Sequence, residues 1–197
     1  MSPLETTILE VLACVQRDAV PRTKLVKLVY FIDYIYFQQT GCTLTGTAYV
    51  WDHYGPNAQG NAITKAAERL ARLGAIQVLR ERPNQHGTTT HYYRANLGRP
   101  VEGPPTDDLA ATIVQSVVDQ YRWHTPGELA DASKLTPPFE QASPGELLDM
   151  DRPGAFYRSL PSAPKPLTKR QLDELEQDRG ITLDEAIEKY AISGVTP

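Results

Sequence analysis

Apolar residues recur at helical spacing from the start of the chain. Leu4, Ile8, Leu12 and Val15 form one stripe and predict a helix from about Leu4 to Arg17. From about Thr23 to Thr40 the stripe widens: Leu25, Leu28, Val29, Ile32, Ile35 and Tyr36 make one face, and Val26, Tyr30, Phe31, Tyr34 and Phe37 cover much of the rest. A helix apolar nearly all round is enclosed by neighbours, so this one is expected at the centre of the fold, ended by Gly41. Asp33 lies inside it and, if buried, needs a partner; Lys24, Lys27 and a backbone amide of the Gly55-Pro56 turn are the candidates. The period changes to two over Thr47 to His53, which sets Tyr49, Trp51 and His53 on one strand face ahead of the turn Tyr54-Gly55-Pro56.

A third helix is expected over about Ala58 to Leu73, with Ile63, Ala66, Ala67, Leu70 and Leu73 inward and Lys65, Arg69 and Arg72 outward. Two strand-like runs follow, Ala75 to Arg82 and Thr89 to Ala95, joined by Pro83-Asn84-Gln85-His86-Gly87 as a hairpin. Helix, helix, strand, helix, hairpin is the order of a winged-helix module. Residues 99–106 read as a linker, and Asp107 to Arg122 as an amphipathic helix. Helix starts are marked by Ser2-Pro3-Leu4-Glu5, Thr125-Pro126-Gly127-Glu128 and Ser143-Pro144-Gly145-Glu146, each a hydroxyl cap, a proline and a carboxylate three positions on; Thr182-Leu183-Asp184-Glu185 repeats the box without proline. The expected fold class is α+β and predominantly α-helical: a winged-helix-like core with a small β-hairpin sheet packed by further helices. Two units are expected, 1–160 as the domain and 161–197 as a linker and C-terminal helical hairpin. The hairpin's Leu172, Leu175, Ile187 and Tyr190 need burial on the domain, a second protomer or a partner.

Charge narrows the function classes. The net charge is −4, but residues 1–100 carry 11 basic against 7 acidic side chains, and residues 101–197 carry 9 against 17. The basic residues Lys65, Arg69 and Arg72 share a helix face where a winged-helix reader would meet DNA. Glu68 interrupts that patch, and a sequence pI near 5.6 is wrong for a protein dominated by phosphate contacts, so DNA is disfavoured as a partner. No run reaches the ~18–20 apolar residues of a membrane span, and Met1-Ser2-Pro3-Leu4-Glu5 lacks a signal peptide's basic start, so a cytoplasmic location is expected.

No catalytic motif is present, and an enzyme is not expected: there is no nucleophile elbow, no paired-histidine zinc motif and no glycine-rich phosphate loop. His53, His86, His91 and His124 are scattered, and Cys14 and Cys42 stand alone, so no metal, cofactor or disulfide is expected. Asp52 and His53 are adjacent on a strand and point to opposite faces, which disfavours an acid–base pair. The aromatics are the anomaly. Eight of the sixteen Phe, Tyr and Trp residues fall between Tyr30 and Tyr54. Most belong in a core, yet tyrosine and tryptophan near a surface turn suit a protein-binding face. Tyr49, Trp51, His53 and Tyr54 are therefore candidate partner contacts, with the tail's Leu172, Leu175, Ile187 and Tyr190 as a second surface.

Lys24-Leu25-Val26-Lys27-Leu28-Val29-Tyr30-Phe31-Ile32-Asp33, then Gly41, Leu44-Thr45-Gly46, Tyr49-Val50 and Tyr54-Gly55-Pro56, resemble the Panacea domain of SocA-like antitoxins from bacteria and phages. Pro126-Gly127-Glu128-Leu129, Ser133, Pro137-Pro138-Phe139 and Pro144-Gly145-Glu146 are similar to that family's closing helices, so the resemblance spans about residues 4–150. It implies an antitoxin that binds a toxin encoded beside it, or an adaptor that delivers the toxin to a protease.

Overall fold

The computed structural model describes residues 1–15, 18–80, 90–96 and 107–152. The fold is α+β, with six helices and a small antiparallel sheet among these residues. The first helix, α1 (Pro3–Cys14), opens on a complete capping box: Ser2 Oγ accepts from the Glu5 amide, and Glu5 Oε2 accepts from the Ser2 amide at 2.7 Å. After a two-residue strand, β1 (Val20–Pro21), the long helix α2 (Arg22–Thr40) runs through the middle of the molecule. Its residues from Lys24 to Tyr34 are all buried, as the all-round apolar pattern predicts. Helices α4 (Asp108–Tyr121) and α5 (Pro126–Lys134) pack against α2, and α1 packs against α4 and α3 (Ala62–Arg72).

The expected hairpin forms between β4 (Ile76–Arg80) and β5 (His91–Ala95), with Val78 opposite Tyr93. On its other edge β5 pairs with β1, Val20 opposite Tyr93, giving the order β1-β5-β4. The two residues of β1 are too short to leave a period in the sequence. A second small sheet joins β2 (Tyr49–Val50) to β3 (Asn57–Ala58). Of the alternation expected over Thr47 to His53, Tyr49 and Val50 form the regular strand.

Three element boundaries differ from expectation for local reasons. The first helix ends at Cys14 rather than Arg17. The third begins at Ala62 rather than Ala58, because Ala58 is taken by β3 and Asn61 sits in the left-handed region at φ 57°. The box Ser143-Pro144-Gly145-Glu146 opens no helix: Gly145 has φ 80°, and the Glu146 carboxylate accepts from the Ser143 amide at 2.8 Å in a turn. Residues 145–148 instead run along β2, the Trp51 amide donating to the Glu146 carbonyl and the Leu148 amide to Tyr49, both at 2.8 Å. A short helix, α6 (Pro137–Glu140), stands just before this turn. The box at Thr182 and the expected C-terminal hairpin lie outside the described residues.

Aromatic packing fills the centre. Tyr30 meets Tyr49 edge to face at 5.1 Å, Phe31 stacks on Tyr121 at 4.7 Å, and Trp51 stacks on Phe139 at 5.1 Å. Asp33 is fully buried as expected, but neither lysine is its partner. It accepts from the Thr45 amide (2.8 Å), the Thr45 hydroxyl (2.5 Å) and the Tyr49 hydroxyl (2.7 Å), tying the loop after α2 back onto the helix. Burial outweighs these bonds and pushes its carboxyl up to about 6.

Candidate partner-binding site

Lys24 and Lys27 occupy successive turns of the same face of α2, and each spends its ammonium on backbone carbonyls of a loop. Lys24 Nζ donates to Arg122 O (2.6 Å) and His124 O (2.8 Å), bracketing Trp123 in the connection from α4 to α5. Lys27 Nζ donates to Pro56 O at 2.6 Å, holding the turn that carries Tyr54. Both ammonium groups are buried, and burial lowers their proton affinity, that of Lys27 to about 8.

The two loops present aromatics to solvent. Trp123 is 78% exposed, with the Arg122 guanidinium 4.7 Å from its ring centre, and Tyr54 is 71% exposed. Neither ring is loosely held at its backbone. At Tyr54 the amide donates to Asp52 Oδ1 (3.0 Å), and the Gly55 amide donates to Asp52 O (2.8 Å). Gly55 has φ 88° and lies so close to α5 that a Cβ there would stand 2.6 Å from Ser133 Oγ and 3.1 Å from Lys27 Nζ. A glycine is needed on both counts. Ser133 Oγ donates to Ala130 O within α5 at 2.7 Å; with Lys27 holding Pro56 and Gly55 lying against Ser133, the turn, α2 and α5 meet in one corner.

Beside this corner lies an open cleft of about 370 Å³, lined by α2 (Arg22, Thr23, Val26, Lys27), the turn region (Asp52, Tyr54, Gly55, Asn57) and α5 (Pro126, Gly127, Ala130). Sequence pattern alone identifies Tyr54 here; it does not identify Arg22, Gly127 or Trp123. The lone tryptophan between two helix signals, in Arg122-Trp123-His124-Thr125-Pro126, was the available sign, since a loop position gives such a ring little to pack on.

The other candidates fall in different places. Tyr49 is 1% exposed and hydrogen-bonds to Asp33, so it belongs to the core and supports the site from behind. Trp51 is half-buried against Phe139, and His53 is exposed with its ring edge-to-face with Tyr54 at 5.4 Å. Leu172, Leu175, Ile187 and Tyr190 lie outside the described residues. Lys65, Arg69 and Arg72 are exposed on α3, but Arg69 Nε is engaged by Glu5 Oε1 at 2.8 Å, which turns the middle member of that patch toward α1. Among the described residues no group of His, Cys, Asp and Glu side chains could hold a metal ion, and no helix is long and apolar enough to cross a membrane.

Comparison with protein families gives a match to the model described as antitoxin SocA-like, Panacea domain, over residues 25–138. The match takes in α2 from Leu25 onward, the Tyr54 turn, α5 and the loop holding Trp123, and so contains every residue that lines the cleft except Arg22 and Thr23. No curated protein and no solved structure matches the chain.

Proposed function

Because the chain belongs to the SocA-like, Panacea-domain antitoxin family, we propose that it neutralises a toxin encoded beside it by direct protein–protein contact, and that the corner carrying Tyr54 is the contact face. The observation that carries this reading is an exposed aromatic on a rigid mount. Tyr54 is 71% exposed while Gly55 and Pro56 behind it are buried, Pro56 held by Lys27 and Gly55 lying close against Ser133. A large ring fixed before binding loses little conformational entropy on association, which is the property of an interface anchor. His53 and half-buried Trp51 extend the face, and the tail residues Leu172, Leu175, Ile187 and Tyr190 form a second contact region in this proposal. The protein acts as a binder and not as an enzyme, in the cytoplasm, with a second protomer or a protease as further partners.

The competing reading is a DNA-binding regulator. The helix order and the strand order β1-β5-β4 support a winged-helix-like frame. Against it, Arg69 is paired with Glu5, and the excess of acid over base is unchanged. Co-expression decides between them. The product of the adjacent gene should arrest growth alone and lose that effect with this protein. The Tyr54→Ala variant, and a chain lacking residues 167–197, should stay folded by thermal melting and protect less. Full protection by both folded variants would remove these regions from the interface; a harmless neighbour would remove the antitoxin role.

A further inference from the structure

The cleft beside Tyr54 is lined by two cationic side chains, Arg22 and Lys27, and one acid, Asp52. Lys27 is 3% exposed and, among the described residues, has a single hydrogen-bond acceptor, the Pro56 carbonyl, for an ammonium with three donors. A buried cation so incompletely satisfied is costly and favours an arriving anion. At the mouth stands Arg22, exposed and without an ion pair among the described residues. Asp52, the one acid in the lining, accepts from the Tyr54 amide and acts electrostatically on Lys27, which leaves the lining one positive charge in excess.

Gly127 also lines the cleft, and the fold does not require glycine there. A Cβ at this position would meet nothing nearer than Thr125 Oγ1 at 4.0 Å. What its missing side chain provides is room in the cleft, whose volume of about 370 Å³ falls within the range of ligand sites, roughly 300–1,000 Å³.

Resting on the antitoxin reading, we propose that the cleft receives a carboxylate-bearing segment of the partner protein. An Asp or Glu side chain enters past Gly127 to meet the Arg22 guanidinium and the Lys27 ammonium, and an apolar neighbour packs on the Tyr54 ring. A planar guanidinium at the entrance suits a carboxylate through paired hydrogen bonds. The exposed tyrosine and the small net charge of the lining favour a protein segment over a nucleic acid, whose affinity rests on many phosphate contacts.

Titration calorimetry with the purified product of the adjacent gene tests this. Arg22→Glu reverses an exposed charge and Gly127→Leu fills open space, so both should melt within a few degrees of wild type. Each should weaken binding at least tenfold, while Arg22→Lys should weaken it less. Wild-type affinity in both Arg22→Glu and Gly127→Leu, with the wild-type complex intact, would overturn the cleft assignment and leave the antitoxin reading standing. Absence of any wild-type complex would overturn both. A fragment of operon DNA bound by wild type and released by Arg22→Glu would overturn the carboxylate in favour of phosphate.

Discussion

The Lys27 ammonium donates to the Pro56 carbonyl at 2.6 Å, so a charge buried on the central helix fixes the turn from which Tyr54 projects. The arrangement has a thermodynamic signature. Burial lowers the lysine to about 8 in the folded chain from 10.5, so between these values the unfolded chain holds more protons. Stability therefore rises with pH across that window, and at pH 7 the folded state bears the full cost of the buried charge. Lys27→Met removes the titration. The difference in unfolding free energy, wild type minus Lys27→Met, should grow in favour of wild type between pH 8 and pH 10, as read from denaturant midpoints. A pH-independent difference would place the ammonium in contact with water.

Asp33 works in the opposite sense. Its carboxyl is pushed up to about 6 from 3.8, so the folded chain binds the extra proton between those values, and its contribution is full below pH 4 and lost as pH rises through 6. Asp33→Asn should flatten this slope: wild type gains on the variant by on the order of 3 kcal/mol from pH 7 to pH 4 at most. Asp33→Ala leaves the Thr45 amide and the Thr45 and Tyr49 hydroxyls without their acceptor and should cost about 3 kcal/mol at pH 7, and more as the pH falls toward 4. A denaturant midpoint unchanged in Asp33→Ala would contradict the network.

Gly55 and Gly41 separate strain from crowding. Both have positive φ, 88° and 77°, but a Cβ at Gly41 meets nothing within 4 Å, whereas one at Gly55 collides with Ser133 Oγ at 2.6 Å. Gly41→Ala should cost about 1–2 kcal/mol, the backbone term alone. Gly55→Ala should cost more, and Ser133→Ala in the same chain should recover part of the excess. Equal costs for the two glycine variants by chemical denaturation would mean that the turn is not pressed onto α5.

Much of the fold was legible where a segment carries its own period or its own stop. The all-round apolar stretch from Leu25 to Tyr34 places α2 at the centre, and Asp33 within it announces a buried network, though not its partners. Thr45 and Tyr49 reach Asp33 only because Gly41 turns the chain back. The box at Ser143 misled because its cap residues serve a turn as well as a helix. What decided was Gly145's backbone and the pairing of the following residues with β2, a long-range contact no local pattern carries. At the site, the exposure of Tyr54 was readable from its turn. Lys24 and Lys27 read as candidate partners of Asp33, whereas their role depends on loops that arrive 29 to 100 residues later in the chain.

The basic face of α3 gives a further check. Arg69 pairs with Glu5 while half exposed, so solvent screens the pair and Arg69→Ala should lower stability by less than about 1 kcal/mol. The same variant should neutralise the toxin as wild type does. A sequence-selective gel shift at physiological salt that disappears in Arg69→Ala would instead assign the α3 face to DNA.

The central claim is that the partner covers the corner built by α2, the Tyr54 turn and α5. Hydrogen exchange of the full chain, free and in complex with the product of the adjacent gene, reads that directly. The account predicts slowed exchange at residues 52–57 and 123–130, with α3 and β4 unchanged. Protection confined to α3 and β4, with 52–57 exchanging as in the free protein, would contradict it.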